Sequence, residues 1–209
     1  MTSEEDGRVR RGQETREARR AQILESALRV FAEKGYHSAS VTDLVDAAGV
    51  ARGTFYLYFD SKEAIFLELL DDLWSHLRAN LVGVDLARGA ASMEGQLHAI
   101  VVRLLRTLVD NRRLTRIIFR EAVGLHATVD DRLKAFDDEL HGWVARSLAL
   151  GAALGAVRAV DAELGATAIV GSLREVVYRY VVRSDDPIDL DAVATALLDH
   201  HLRGLLPRP

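Results

Sequence analysis

The sequence has no cysteine, which excludes a disulfide framework, a thiolate metal site and a cysteine nucleophile. Proline is nearly absent, with 3 in 209 residues, and aromatics reach only 6%. Strand formers are scarce beside Ala, Leu, Arg, Glu and Asp, so an all-α fold is expected. No apolar run approaches the ~18 residues that span a bilayer. The opening stretch Met1 to Gln22 is polar and charged, without the apolar centre of a signal peptide, and a cytoplasmic protein with no membrane partner is expected. A phosphate loop and a nucleophile elbow are also missing. Asp138-x-x-His141 and Glu94-x-x-x-His98 each set a carboxylate and an imidazole on one helical face, but a di-iron bundle needs two carboxylate-x-x-His copies and further carboxylates. His200 and His201 are adjacent and so point about 100° apart on a helix, a poor chelate. No enzyme, no metal site and no cofactor is expected.

A basic excess is lacking too. The 27 Lys and Arg face 31 Asp and Glu for a formal charge of −4, which argues against a protein that coats nucleic acid indiscriminately. The charge is uneven, however: Arg8, Arg10, Arg11, Arg16, Arg19 and Arg20 stand against only Glu14 and Glu17. Residues 1–14 read as a flexible basic arm. On an acidic protein such an arm suits a confined phosphate contact, or it is a solvated tail.

Helical periodicity is what the sequence has in quantity. Ile23, Ala27, Val30 and Phe31 form one apolar face of a helix over about Thr15 to Lys34, stopped by Gly35. Ser40 lies three residues before Asp43, the capping-box spacing, and opens a short helix that carries Leu44, Val45 and Ala48 inward. Gly49 ends it. A second short helix over Ala51 to Phe59 places Phe55 and Phe59 on one face. Asp60-Ser-Lys-Glu63 then starts a long helix in which Ile65, Leu69, Leu73, Leu77 and Leu81 recur every four residues, roughly 30 Å in all. After a link at about Gly83 to Ser92, helices are expected over about 93–110, 114–123, 129–154, 161–183 and 190–205, with breaks at Asn111, Gly124, Gly155 and the turn at 184–187.

Two helices joined by a Gly-containing turn form a helix-turn-helix, whose second helix enters the major groove. With Phe55 and Phe59 in the core, Arg52, Thr54, Tyr56 and Tyr58 point partly or wholly outward, and Gly53 removes a side chain where the helix would press closest to DNA. Hydroxyls and helix N-terminal amides are phosphate donors, and Arg can fork onto guanine. Alternatively, the two tyrosines pack against the long helix and Lys62 makes a surface ion pair. One such helix buries too little surface for a specific site, so two half-sites and a homodimer are expected.

The run Ile23-Leu24-x-x-Ala27-x-x-x-Phe31, then Gly35-Tyr36, the Ala-Gly-Val turn, Gly-Thr-Phe-Tyr-x-Tyr-Phe and Ser61-Lys62-Glu63 together resemble the DNA-binding domain of the tetracycline-repressor (TetR) family of bacterial regulators. The resemblance implies a three-helix helix-turn-helix domain over 15–62 and a helical effector-binding and dimerisation domain over 63–209, about nine helices in all. It implies a repressor that a small, largely apolar effector releases from a palindromic double-stranded operator. It makes Tyr56 and Lys62 phosphate contacts and Ser40 a cap that also donates to the DNA backbone. Arg52 and Thr54 fall at base-reading or groove-edge positions, and Arg19 and Arg20 near flanking phosphates. The family's dimer bundle comes from its last two helices, here carrying Ile169, Leu173, Val176, Val177, Tyr180 and Val181, then Val193, Leu197 and Leu205; the other reading buries these stripes within the monomer. Phe119, Trp143, Phe136, Leu104 and Leu108 are candidates for an effector pocket. His98, Arg116, Arg120, His126 and Tyr178 are its candidate polar groups, an arginine facing an acidic head group. The competing class is a helical interaction module that no longer binds DNA.

Overall fold

The computed structural model describes residues 3–205 apart from 86, 88 and 123, with side chains described between 13 and 203. Among these residues the elements are α1 (Ser3–Lys34), α2 (Val41–Ala48), α3 (Arg52–Tyr56), α4 (Lys62–Asn80), α5 (Met93–Asp110), α6 (Arg112–Glu121), α7 (Ala127–Ala153), α8 (Ala162–Val177), a π-helical turn (Tyr178–Val182) and α9 (Leu190–Leu205), with no strand. The all-α expectation holds. The chain packs as two units, Met1–Asp71 and Asp72–Pro209, so the division falls inside α4 and not at 62/63.

In the first unit α1 buries Ile23, Ala27, Val30 and Phe31, as its period requires. Phe31, Tyr36 and Phe66 of α4 form an aromatic knot with ring centroids 5.1 to 6.2 Å apart, an arrangement that favours tilted and edge contacts. α2 begins with the capping box anticipated from its sequence: the Asp43 amide donates to Ser40 Oγ, and the Ser40 amide donates to the Asp43 carboxylate at 2.9 Å. It ends at Gly49, whose φ of 62° is the left-handed conformation that costs a side-chain-bearing residue energy. Gln22 and Arg29 of α1 donate to the Ala48 and Ala47 carbonyls, which fastens the end of α2. One difference concerns the arm: helix α1 starts at Ser3, so residues 3–14 continue it. The side chains of Arg8, Arg10 and Arg11 lie outside the described residues.

The second unit holds the end of α4 and helices α5 to α9. α7 packs along α8 around Val144, Ala145, Leu148, Ala166 and Val170. The close approach is made at Gly165, where an added Cβ would stand 2.8 Å from Leu148 Cδ1. A second cluster joins Leu105 of α5 to Val177 and Val181, with Phe119, Leu173 and Val193 around it. α5 and α9 have the predicted bounds. α6 and α7 each begin about two residues before the predicted starts, and Val123, the expected end of α6, lies outside the described residues. The helix expected over 161–183 gives way at Tyr178 to the π turn, closed by the Arg183 amide on the Tyr178 carbonyl at 3.0 Å. No helix among the described residues is long and apolar enough to cross a membrane.

Candidate functional site

α3 is five residues long and buries one of them. Phe55 is inaccessible and Phe59 nearly so, and the two rings pack at 6.4 Å. Arg52, Gly53 and Tyr56 are exposed, and Thr54 and Tyr58 are half-buried. The Arg52 guanidinium lies 5.8 Å from the Tyr56 ring centroid, close enough for a cation–π contact that keeps both groups extended along one surface. An added Cβ at Gly53 would meet nothing, so this turn of α3 offers bare backbone outward. The helix-turn-helix therefore presents together one guanidinium, two phenols and a hydroxyl, groups of the kind that donate to phosphates and base edges.

Three residues expected beside these groups have other duties. Arg20 directs Nε to Glu68 Oε1 at 2.6 Å and Nη2 to Glu68 Oε2, and Nη1 donates to the Tyr58 carbonyl at 3.4 Å. Its charge also sits 4.5 Å above the Phe59 ring. The hydrogen bonds to Glu68 hold the guanidinium pKa above its ordinary value against the opposing effect of burial. This is a tertiary fork rather than a group reaching outward. Lys62 is likewise committed: its ammonium donates to the carbonyls of Tyr36, His37 and Ala39 at 2.9, 3.2 and 2.9 Å and lies 4.7 Å from the Tyr36 ring. Three carbonyls of the connection between α1 and α2 converge there, and a cation with three donors satisfies them. The Ser40 hydroxyl donates to Asp43 Oδ2 at 2.7 Å, so it caps α2 and faces a carboxylate. Lys34 closes this network on Asp43 Oδ1 at 2.5 Å, and Lys34 and Ser40 together draw the Asp43 carboxyl far below the usual carboxylate range. Arg19 donates to Gln22 on its own helix.

In the second unit α4, α5, α6, α7 and α8 line a half-open pocket of about 540 Å³, within the ordinary size of a small-molecule site. Trp74 and Leu77, Leu104 and Leu108, Phe119, Phe136 and Leu173 make its wall apolar, and Asp130, Lys134, Asp137 and Arg174 supply its charged groups. Phe136 stacks on Trp74 at 4.0 Å with the rings nearly parallel. Arg174 pairs with Asp137 at 3.2 Å and Lys134 with Asp138 at 3.5 Å. Of the residues expected here, Phe119, Phe136, Leu104 and Leu108 line the cavity. Trp143 does not; it packs against the α7–α8 cluster. Sequence reasoning missed Trp74, Lys134 and Arg174, because nothing local separates a residue that lines a hollow from one that fills a core.

The expected polar groups of the pocket are placed elsewhere. Arg116 donates to the Val181 and Ser184 carbonyls and to Asp185, and Arg120 to the Val182 carbonyl. With Arg112 on the Ser184 carbonyl, they form a row on one face of α6. That row satisfies the carbonyls exposed where the π turn ends α8, an end that attracts cations. His98 joins α5 to the Asp191 carbonyl of α9 at 3.3 Å, and His126 caps α7. Tyr178 is exposed beyond Phe119. The expected dimer stripe also divides. Val177 is 2% exposed, and Leu173 and Val193 pack against the same cluster, while Ile169 packs between α7 and α8. Val177 belongs to the monomer core, whereas Ile169, Leu173 and Val193 are half-buried at the edges of these clusters. Leu197 is half-buried and Tyr180 exposed. The row that does face outward on α8 is Leu164, 68% exposed, followed by Ala168 and Gly171.

Residues 23–69 match the family described as "Bacterial regulatory proteins, tetR family", and residues 90–205 match "Tetracyclin repressor-like, C-terminal domain". The fatty acid metabolism regulator protein of Bacillus subtilis is 27% identical over 188 residues, covering 88% of this chain and 94% of that protein. The solved structure of the fatty acid degradation regulator FadR from Bacillus halodurans superposes with a TM-score of 0.70 at 28% identity, over 91% of this chain and 97% of the other. FadR from B. subtilis, solved in complex with stearoyl-CoA, shares the fold with a TM-score of 0.69 at 24% identity, over 88% and 98% of the two chains.

Proposed function

From the premise that the chain belongs to the TetR family of bacterial transcriptional regulators, we propose how its two units divide the work. It is a DNA-binding regulator. The observation that carries the rest is the short α3, which buries only Phe55, leaves Arg52, Gly53 and Tyr56 exposed and keeps Thr54 half-exposed. In this reading Tyr56, Tyr58 and the amides around Gly53 grip phosphates, and Arg52 with Thr54 addresses base edges of one half-site. Ser40, Arg20 and Lys62 build the head from within. Two copies bind a palindrome, joined through the outward row Leu164, Ala168, Gly171 of α8 with the exposed Ala196 and His200 of α9.

The cavity takes the effector, an amphiphile with a long apolar chain whose anionic head lies at Lys134 and Arg174. The apolar wall favours such a ligand, whose head would draw Arg174 from Asp137 and Lys134 from Asp138, and the names of the two FadR proteins and of the fatty acid metabolism regulator point the same way. Its binding releases the operator. The experiment is selection of duplexes from a random pool by the purified full-length protein, then band shifts of the winning sequence with stearoyl-CoA or coenzyme A alone. A shared palindrome, released by the acyl thioester and not by coenzyme A, is the expected result. Selected duplexes without a common palindrome overturn the operator reading, and a palindrome indifferent to the thioester overturns the effector reading alone.

A further inference from the structure

Five residues form barely more than one helical turn, too few to persist without outside support. α3 has no side-chain cap at Ala51, and its interior anchors are Phe55 and, just beyond its end, Phe59. The segment leaving it passes Tyr58, two residues beyond the helix end. There Arg20 arrives from α1. One guanidinium takes the Tyr58 carbonyl with Nη1, covers the Phe59 ring with its cationic face, and is itself oriented by the fork onto Glu68 of α4. Two helices, α1 and α4, and the segment that leaves α3 are joined at a single planar group.

We propose that Arg20 is a positioning residue for α3, oriented by Glu68, and not a phosphate contact of the regulator. The inference rests on the reading of α3 as the operator-contacting element. Both partners remain substantially solvent-exposed, with side-chain accessibilities of 42% and 30%, so the pair contributes little to global stability. What it supplies is the aim of Arg52 through Tyr58. A phosphate contact and a positioning clamp then differ in the sign of one effect. Removing the negative charge of Glu68 strengthens any protein's attraction to DNA by electrostatics alone, whereas removing the group that orients Arg20 misaligns α3.

The test uses the full-length protein and the palindrome that the wild type selects from random duplexes, with an unrelated duplex as control, across a salt series. Glu68→Gln is expected to weaken operator binding about tenfold, the equivalent of one misplaced base contact, with no loss on the unrelated duplex. Arg20→Lys, which keeps the charge but cannot make the fork, and Arg20→Ala show the same loss with an unchanged salt slope. The exchanged pair Arg20→Glu with Glu68→Arg recovers part of it. Helical circular dichroism equal to wild type accompanies each result. The proposal is overturned if Glu68→Gln tightens or leaves unchanged the operator affinity, if Arg20→Lys binds as wild type does, or if Arg20→Ala lowers the log–log salt slope by the ~0.9 of a lost phosphate contact. A wild type that selects no palindrome overturns the operator reading and this role with it.

Discussion

Replacing Lys62 by methionine keeps the length of the side chain and removes the ammonium. Three carbonyls then lose a charged donor. The bond to His37 is exposed, and water replaces it at little cost; those to the Tyr36 and Ala39 carbonyls are partly buried. Hydrogen bonds to charged groups are each worth about 1.5–3 kcal/mol when buried, and solvent screening reduces that. Two partly buried bonds and the contact with the Tyr36 ring give a loss of about 2 kcal/mol, local to the segment between α1 and α2. That is a roughly thirty-fold rise in the equilibrium for local opening. Amide hydrogen exchange across residues 39–50 reads it directly, and exchange within α5 to α9 serves as an internal control. Operator affinity falls as the head loosens, while the salt slope stays at its wild-type value. Unchanged exchange together with a slope lowered by about 0.9 would refute the reasoning, since Lys62 would then be spending its charge on phosphate.

The Asp43 carboxyl is held below its ordinary pKa, first by Lys34 and then by Ser40. A carboxylate whose folded pKa lies below its unfolded one stabilises the fold above the ordinary range and loses that contribution as pH falls through it. Protection from exchange at the start of α2, relative to the intrinsic amide rate, is therefore expected to fall below about pH 4, and Asp43→Asn to abolish that fall; an unchanged profile in the variant removes the capping network as its cause. Gly49→Ala meets no neighbour, so its cost is the left-handed backbone alone, about 1–2 kcal/mol, measurable as a lower denaturation midpoint. Ala168→Glu is expected to leave the protein folded and monomeric by native mass spectrometry, whereas Val177→Glu, in the core, is expected to cost folding itself; a dimer persisting in the first variant moves the interface off α8.

Short-range grammar made much of this fold readable. The Ser40–Asp43 box and the stops at Gly35 and Gly49 are set by residues that touch within a few positions, and the bounds of α5 and α9 follow from local period and breaks. Exposure on α3 was legible because two phenylalanines four apart settle which face is inside. What escaped was partner choice across long separations. Arg20 meets Glu68 forty-eight positions on, and Arg116 and Arg120 reach carbonyls more than sixty positions away; an arginine's sequence neighbours do not say whether its fork will find a phosphate, a carboxylate or a helix end. The apolar stripe of α8 was evident, but a stripe does not name its cover, and Val177 proved to be core. Trp74 lines the pocket without any local signal, since a hollow is a property of five helices together.

The near-emptiness of α3's buried side has an evolutionary consequence. Arg52, Gly53 and Tyr56 are exposed and Thr54 is half-buried, and changes at exposed positions usually shift stability by no more than ~0.5 kcal/mol. Descendants of this gene can exchange Arg52, Thr54 or Tyr56 for other side chains and acquire new target promoters while the scaffold beneath stays intact. Rewiring of gene control is thereby decoupled from the hazard of misfolding.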